Sequence, residues 1–125
     1  MEVMVTHCCG LDVHQKSITA CVLVGKLTSS RPKKTQKTFG TTTFDLRSLS
    51  EWLKELEVSH VLMESTGQYL KPVWNILEPE DFHLILANPQ HIENVPGRKT
   101  DMKDAEWIAL LCRCVLVNAS YVPDK

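Results

Sequence analysis

Residues Val3–Val24 read VMVTHCCGLDVHQKSITACVLV. Two apolar runs flank one acidic residue, Asp12. Val3, Val5, Cys8 and Cys9 precede it, and Ile18, Ala20, Cys21, Val22, Leu23 and Val24 follow. Gly10 and the polar run Asp12–Ser17 lie between. Mostly apolar, β-branched runs of this length read as buried strands. A near-continuous run, rather than clean alternation, marks a central strand covered on both faces. The stretch therefore predicts two adjacent antiparallel strands with Asp12 near their junction. A lone carboxylate there is unfavourable to bury unless something compensates it. A metal ion would compensate it. The rest of the chain is read for residues that come to meet Asp12.

With 125 residues, 43% of them hydrophobic, the chain fits one domain with a substantial core. Its formal net charge of -1 gives no global sign of nucleic-acid binding, so only local charge can supply one. No run approaches about 18 apolar residues, so no membrane span is expected. The N-terminus lacks a basic region followed by an apolar core, so no secretory signal is expected. Cys8, Cys9, Cys21, Cys112 and Cys114 show no C-x-x-C zinc spacing. They read as buried small apolar side chains in a reducing cytoplasm.

Gly25–Lys37 carries Lys26, Arg31, Lys33, Lys34 and Lys37 and no acid. Ser29, Ser30 and Pro32 make it a loop. On charge alone, a solvated hairpin tip and a phosphate-backbone contact weigh equally. Thr35–Thr43, rich in β-branched residues, predicts a third strand. In Phe44–Glu57, Leu49, Trp52, Leu53 and Leu56 repeat at i, i+3, i+4 and i+7, and Thr43 caps this scaffold helix.

His60–Glu64 (HVLME) is a short apolar run ending on a carboxylate, and Ser65-Thr66-Gly67 breaks it. Glu64 thus falls at the C-terminal end of a strand, the edge where open α/β sheets form sites. A capping Glu at a turn is the plain alternative; the apolar run that carries Glu64 up to the strand end weighs against it. Leu70, Val73, Trp74 and Leu77 stripe a second helix, and Pro72 sets its start near Tyr69. Phe82–Ala87 (FHLILA) is another buried strand. Asn88-Pro89 opens a short helix that ends by Val95, before Pro96-Gly97. His7, His60, His83 and His91 read as structural or exposed. His14 lies close enough to Asp12 to matter, with its role open.

Arg98-Lys99-Thr100-Asp101-Met102-Lys103-Asp104 leads into a last helix, Lys103–Val117. Asp101 and Asp104 share a face of its first turn. On spacing alone a cap and a first-turn acid explain them well.

The order β-β-β-α-β-α-β-α-α, with helices on both faces of a mixed sheet, is that of the ribonuclease H-like α/β fold. In that topology the first strand is central, the fourth lies parallel beside it, and the last helix crosses near both strand ends. Asp12, Glu64 and the Asp101/Asp104 pair then converge at one edge. Clustered carboxylates repel unless cations neutralise them. Their oxygens suit hard ions such as Mg2+ or Mn2+, and two such ions can activate a nucleophile and stabilise the leaving oxygen of a phosphodiester. Arg98, Lys99 and Lys103 border the cluster; together with Lys33, Lys34 and Lys37 they are the candidate phosphate contacts.

GLDVHQKS, MESTGQY, NPQHIENVPGRKTDMKDAEWIALL and the trailing YVPDK resemble the N-terminal RuvC-like domain of the DEDD insertion-sequence transposases. These bridge-RNA-guided recombinases are related to the Piv-type DNA invertases. The resemblance spans nearly the whole chain, and its last motif is long and specific. It places the DEDD acids on Asp12, Glu64, Asp101 and Asp104, as catalytic and metal-holding residues. It implies Mg2+ or Mn2+, DNA and guide RNA as partners, an oligomer, and a second, C-terminal domain that carries a serine nucleophile. That domain is not among these residues, so residues 1–125 are expected to form the RuvC-like domain alone. None of Ser17, Ser48, Ser50, Ser59, Ser65 and Ser120 is assigned as that nucleophile. Three rivals use the same features. A Holliday-junction-type nuclease needs the same acids with water as nucleophile. A phosphate-binding ATPase of the actin and sugar-kinase kind needs glycines in the first hairpin, where Val13 and His14 stand instead. A non-catalytic nucleic-acid-binding or assembly module is opposed by four intact acids.

Overall fold

A computed structural model describes residues 4–28, 31–65, 69–87 and 102–114. Its elements follow the order β1 (His7–Val13), β2 (Ile18–Val24), β3 (Lys33–Phe39), α1 (Thr43–Glu55), β4 (His60–Ser65), α2 (Leu70–Leu77), β5 (His83–Leu86) and α3 (Asp104–Cys114). The five strands form one mixed sheet in the order β3-β2-β1-β4-β5. β1 pairs antiparallel with β2 and parallel with β4, so it is the central strand. The expected α/β architecture therefore holds. The short helix expected at residues 88–95 lies outside the described residues.

β1 is buried along six of its seven residues because helices cover both its faces. Cys9, Leu11 and Val13 join Leu46, Leu49 and Leu53 of α1 and Val73, Trp74 and Leu77 of α2 in one core cluster. Cys8 faces the other way, against Ala105, Trp107, Ile108, Leu111 and Cys112 of α3. Each fully buried aliphatic side chain contributes about 1.5–3 kcal/mol. All five cysteines are free and buried. Burial, and then Glu106, pushes the Cys21 thiol up to about 12. All five are buried side chains, as expected.

The third strand, expected at Thr35–Thr43, is found at Lys33–Phe39, so Lys33 and Lys34 lie not in a loop but, with Lys37, in β3, an edge strand in which only Phe39 is buried. Lysines along a free edge discourage pairing with other chains. The helix cap also moves by one residue: Thr42, not Thr43, accepts from the backbone N–H of Asp45 at 3.1 Å. At the other end of α1, Glu57 adopts φ 57°. Its N–H donates to Lys54 O at 3.0 Å, and Val58 N–H donates to Leu53 O at 3.1 Å. This is the left-handed helix stop that glycine fills without a Cβ penalty. Glu57→Gly is therefore expected to stabilise the domain by about 1 kcal/mol, read as a higher urea midpoint with an unchanged slope.

Arg113, near the end of α3, is buried and ties the remote segments down. Its guanidinium donates to Lys26 O at 3.1 Å. Its carbonyl accepts from the N–H groups of Met4 and Val5, at 2.9 and 3.0 Å. No described helix is long and apolar enough to cross a membrane.

At the N-terminal ends of β4 and β5, His60 and His83 stack with ring centroids 4.8 Å apart. Burial, and then the His83 imidazole, holds His60 below its ordinary value of 6.5. The folded state therefore binds its proton less readily than the unfolded state. Above that value His60 is neutral in both states and contributes no pH dependence. As pH falls through it, the unfolded chain takes up the proton first, and stability is lost. Urea melts between pH 7.5 and 5 are expected to show this loss, and His60→Gln to reduce it.

Candidate metal and nucleic-acid site

Asp12 is the penultimate residue of β1 and Glu64 the penultimate residue of β4. The parallel register pairs them directly. Paired residues project from the same face of a sheet, and neighbouring strands lie about 4.8 Å apart. Both carboxylates are buried, Asp12 at 8% exposure and Glu64 at 7%. Their apolar strands deliver them to the C-terminal edge, as the sequence pattern implied.

His14 supplies what the sequence left open. Its Nε2 lies 3.1 Å from Asp12 Oδ2. An ionised carboxylate only accepts, so the ring N–H donates to it. The hairpin holds the main chain at this position, where the His14 backbone N–H donates to Ser17 O at 2.9 Å.

Asp104 is the first residue of α3. It lines an open cleft of about 450 Å3 together with Asp12, Thr19, Gln36, Thr38, Lys103 and Ala105. The start of α3 is brought here by Gly10. A Cβ at Gly10 would fall on the backbone N of Ala109 and 2.6 Å from Ala105 O. The helix backbone thus rests on β1 two residues before Asp12. Cys8 Sγ donates to Ala109 O at 3.5 Å and adds a second fastening.

The structure therefore brings Asp12 beside Glu64 and sets Asp104 in the cleft that Asp12 floors. Asp101, Arg98 and Lys99 lie outside the described residues. Among the described residues no group of three His, Cys, Asp or Glu side chains is close enough to hold an ion. The donor chemistry still fits one class of metal. Buried neighbouring carboxylates repel each other, and an all-oxygen set suits hard divalent ions.

The basic candidates separate. Lys103 is exposed at the cleft. Lys34 pairs with Glu106 of α3 at 3.3 Å. Strand alternation turns Lys33 and Lys37 to the opposite face, where the Lys37 ammonium lies 5.1 Å from the Phe39 ring centroid. The β3 lysines do not form one patch. Thr19, Gln36 and Thr38 were missed as cleft residues. Their signal was slight: Thr19 is the one polar residue in the strand ITACVLV.

A family model described as transposase, for the DEDD transposases of the IS110 type, matches residues 9–125. The chain belongs to this family. The match includes all four acids of the DEDD resemblance. Comparison with curated proteins gives no match. Among solved structures, the chain is similar to a fowlpox virus resolvase determined with substrate Holliday junction DNA, with a TM-score of 0.51 at 17% identity. The similarity covers 75% of this chain and 65% of the resolvase chain, so this transposase-family domain spans just under two thirds of that protein. A likeness at that identity concerns the fold alone, and the ribonuclease H-like architecture expected from the element order is the one found.

Proposed function

We propose that this chain is the metal-holding, N-terminal half of a transposase active site, acting in DNA strand cleavage and transfer. Asp12, Glu64, Asp101 and Asp104 hold Mg2+ or Mn2+. The observation that carries this reading is the direct register of Asp12 and Glu64 at the ends of two parallel strands, with Asp104 at the same cleft. Family membership supports it.

When bound, such ions neutralise the carboxylates, polarise a scissile phosphate and activate the attacking group. The chain's own residues do the positioning. Hydrogen-bonded neighbouring strands fix Asp12 relative to Glu64, and His14 orients the Asp12 carboxylate through its N–H. The seat of α3 on Gly10 sets the position of Asp104. Lys103, with Arg98 and Lys99, contacts the phosphates that flank the reacting one. The attacking hydroxyl is a serine from the family's C-terminal domain, as the sequence resemblance implies. DNA and a guide RNA are the partners, and the working form is an oligomer.

The test is an assay of this chain alone, with Mn2+, on donor and target DNA and on a four-way junction. The expected result is binding without strand exchange. Completed strand exchange by this chain alone would contradict the division of labour. Junction cleavage abolished by Asp12→Asn, with water as nucleophile, would favour the nuclease reading instead.

A further inference from the structure

The sheet face beneath α3 is apolar near its middle and polar at one edge. Gly10, Cys8, Cys21, Leu23 and Leu62 lie on this face against the helix or in the core cluster it builds. One row further along, the register reads Glu64, Asp12, Thr19, Thr38 across β4, β1, β2 and β3. With three strand gaps, this polar row extends for about 14 Å. Gln36 adds an amide on the same face of β3, two residues before Thr38. The cleft over this row has a floor of Asp12, Thr19, Gln36 and Thr38 and a wall of Lys103, Asp104 and Ala105. A solvated edge strand explains Gln36 and Thr38 by themselves. It does not explain Thr19, which is half-buried on an otherwise apolar strand and falls beside Asp12.

We infer that this groove is the path of a single nucleic-acid strand. The strand runs from the carboxylates across β2 and leaves the domain at the β3 edge. The inference rests on the nucleic-acid reading above and adds to it a direction and three residues. The hydroxyls of Thr19 and Thr38 and the amide of Gln36 bond sugar and phosphate oxygens without adding charge, as neutral backbone contacts do in protein–nucleic acid interfaces. Lys103 neutralises one phosphate at the groove wall. The cleft, of about 450 Å3, is of small-ligand size and matches one or two nucleotides of the strand that crosses it. DNA and RNA share the backbone chemistry the groove recognises.

The test is fluorescence anisotropy of this chain, in Mg2+, with labelled single-stranded DNA and RNA of one sequence. Thr38→Glu places a carboxylate in the groove. Asn75→Glu makes a matched change on α2, on the other face of the sheet. Thr38→Glu is expected to weaken binding about tenfold or more, and Asn75→Glu to leave it within about twofold. The isosteric pair Thr19→Val and Thr38→Val, which keeps the strand packing, is expected to weaken binding about fivefold with an unchanged salt slope. Equal losses on DNA and RNA assign the groove to the shared backbone, and a larger loss on RNA adds a 2′-hydroxyl contact; either result supports the path. Wild-type binding with Thr38→Glu and the valine pair indistinguishable from Asn75→Glu overturns the path and leaves the nucleic-acid reading standing. No binding of either oligonucleotide by the wild type removes both.

Discussion

Gly10→Ala is expected to lift α3 off the sheet. The added Cβ meets backbone atoms of the helix, Ala109 N and, at 2.6 Å, Ala105 O. Backbone atoms cannot rotate aside as a side-chain tip can, so the helix must shift as a unit. Overpacking of this kind costs about 1–3 kcal/mol and occasionally more. We expect about 3 kcal/mol, because Trp107, Ile108, Leu111 and Cys112 all rest on the same seating. That is a large share of the roughly 5–15 kcal/mol that holds a domain folded. The hydrogen bond from Cys8 to Ala109 O weakens with it. Asp104, the first residue of that helix, moves away from Asp12. The check is a urea melt together with Mn2+ binding. Both the midpoint and the ion affinity should fall. Unchanged stability in Gly10→Ala would mean that α3 does not sit on β1.

Asp12→Asn is expected to separate chemistry from folding. The change is nearly isosteric and keeps the strand. It replaces one of two adjacent buried carboxylates by an amide, which removes repulsion from Glu64 and supplies a donor in its place. The metal-free melting temperature should therefore hold or rise. The cost appears in cleavage. Losing an ion-holding carboxylate removes several kcal/mol of transition-state stabilisation, on the order of a thousandfold in rate. The assay is metal-dependent strand cleavage by the chain together with the C-terminal domain proposed above to carry the serine. A variant that melts like the wild type and also cuts like it would remove Asp12 from the site.

The sequence was most readable where burial dictated residue type. The apolar runs around Asp12 and before Glu64 are what strands between two helical layers require, and they carry both acids to the C-terminal edge of the sheet. β3 was less readable, because an edge strand keeps lysines for solvent and so resembles a loop from its composition. Gly10 looked like a break between two runs. It lies inside β1, and its reason, the backbone of Ala105 and Ala109, is nearly a hundred residues away along the chain. The His14–Asp12 contact depends on the hairpin turn, and the cleft role of Thr19 on a register across three strands. Neither leaves a periodic trace.

The central claim is that these carboxylates make a divalent-ion site. Thermal melts of the wild type and Asp12→Ala, each with and without Mn2+, test it most directly. An ion that binds the folded state alone raises the melting temperature, with the logarithm of its concentration once that exceeds the dissociation constant. The account expects Mn2+ to raise the wild-type melting temperature and to leave Asp12→Ala unmoved. A wild type that ignores Mn2+, or an Asp12→Ala variant that responds as strongly, would contradict it.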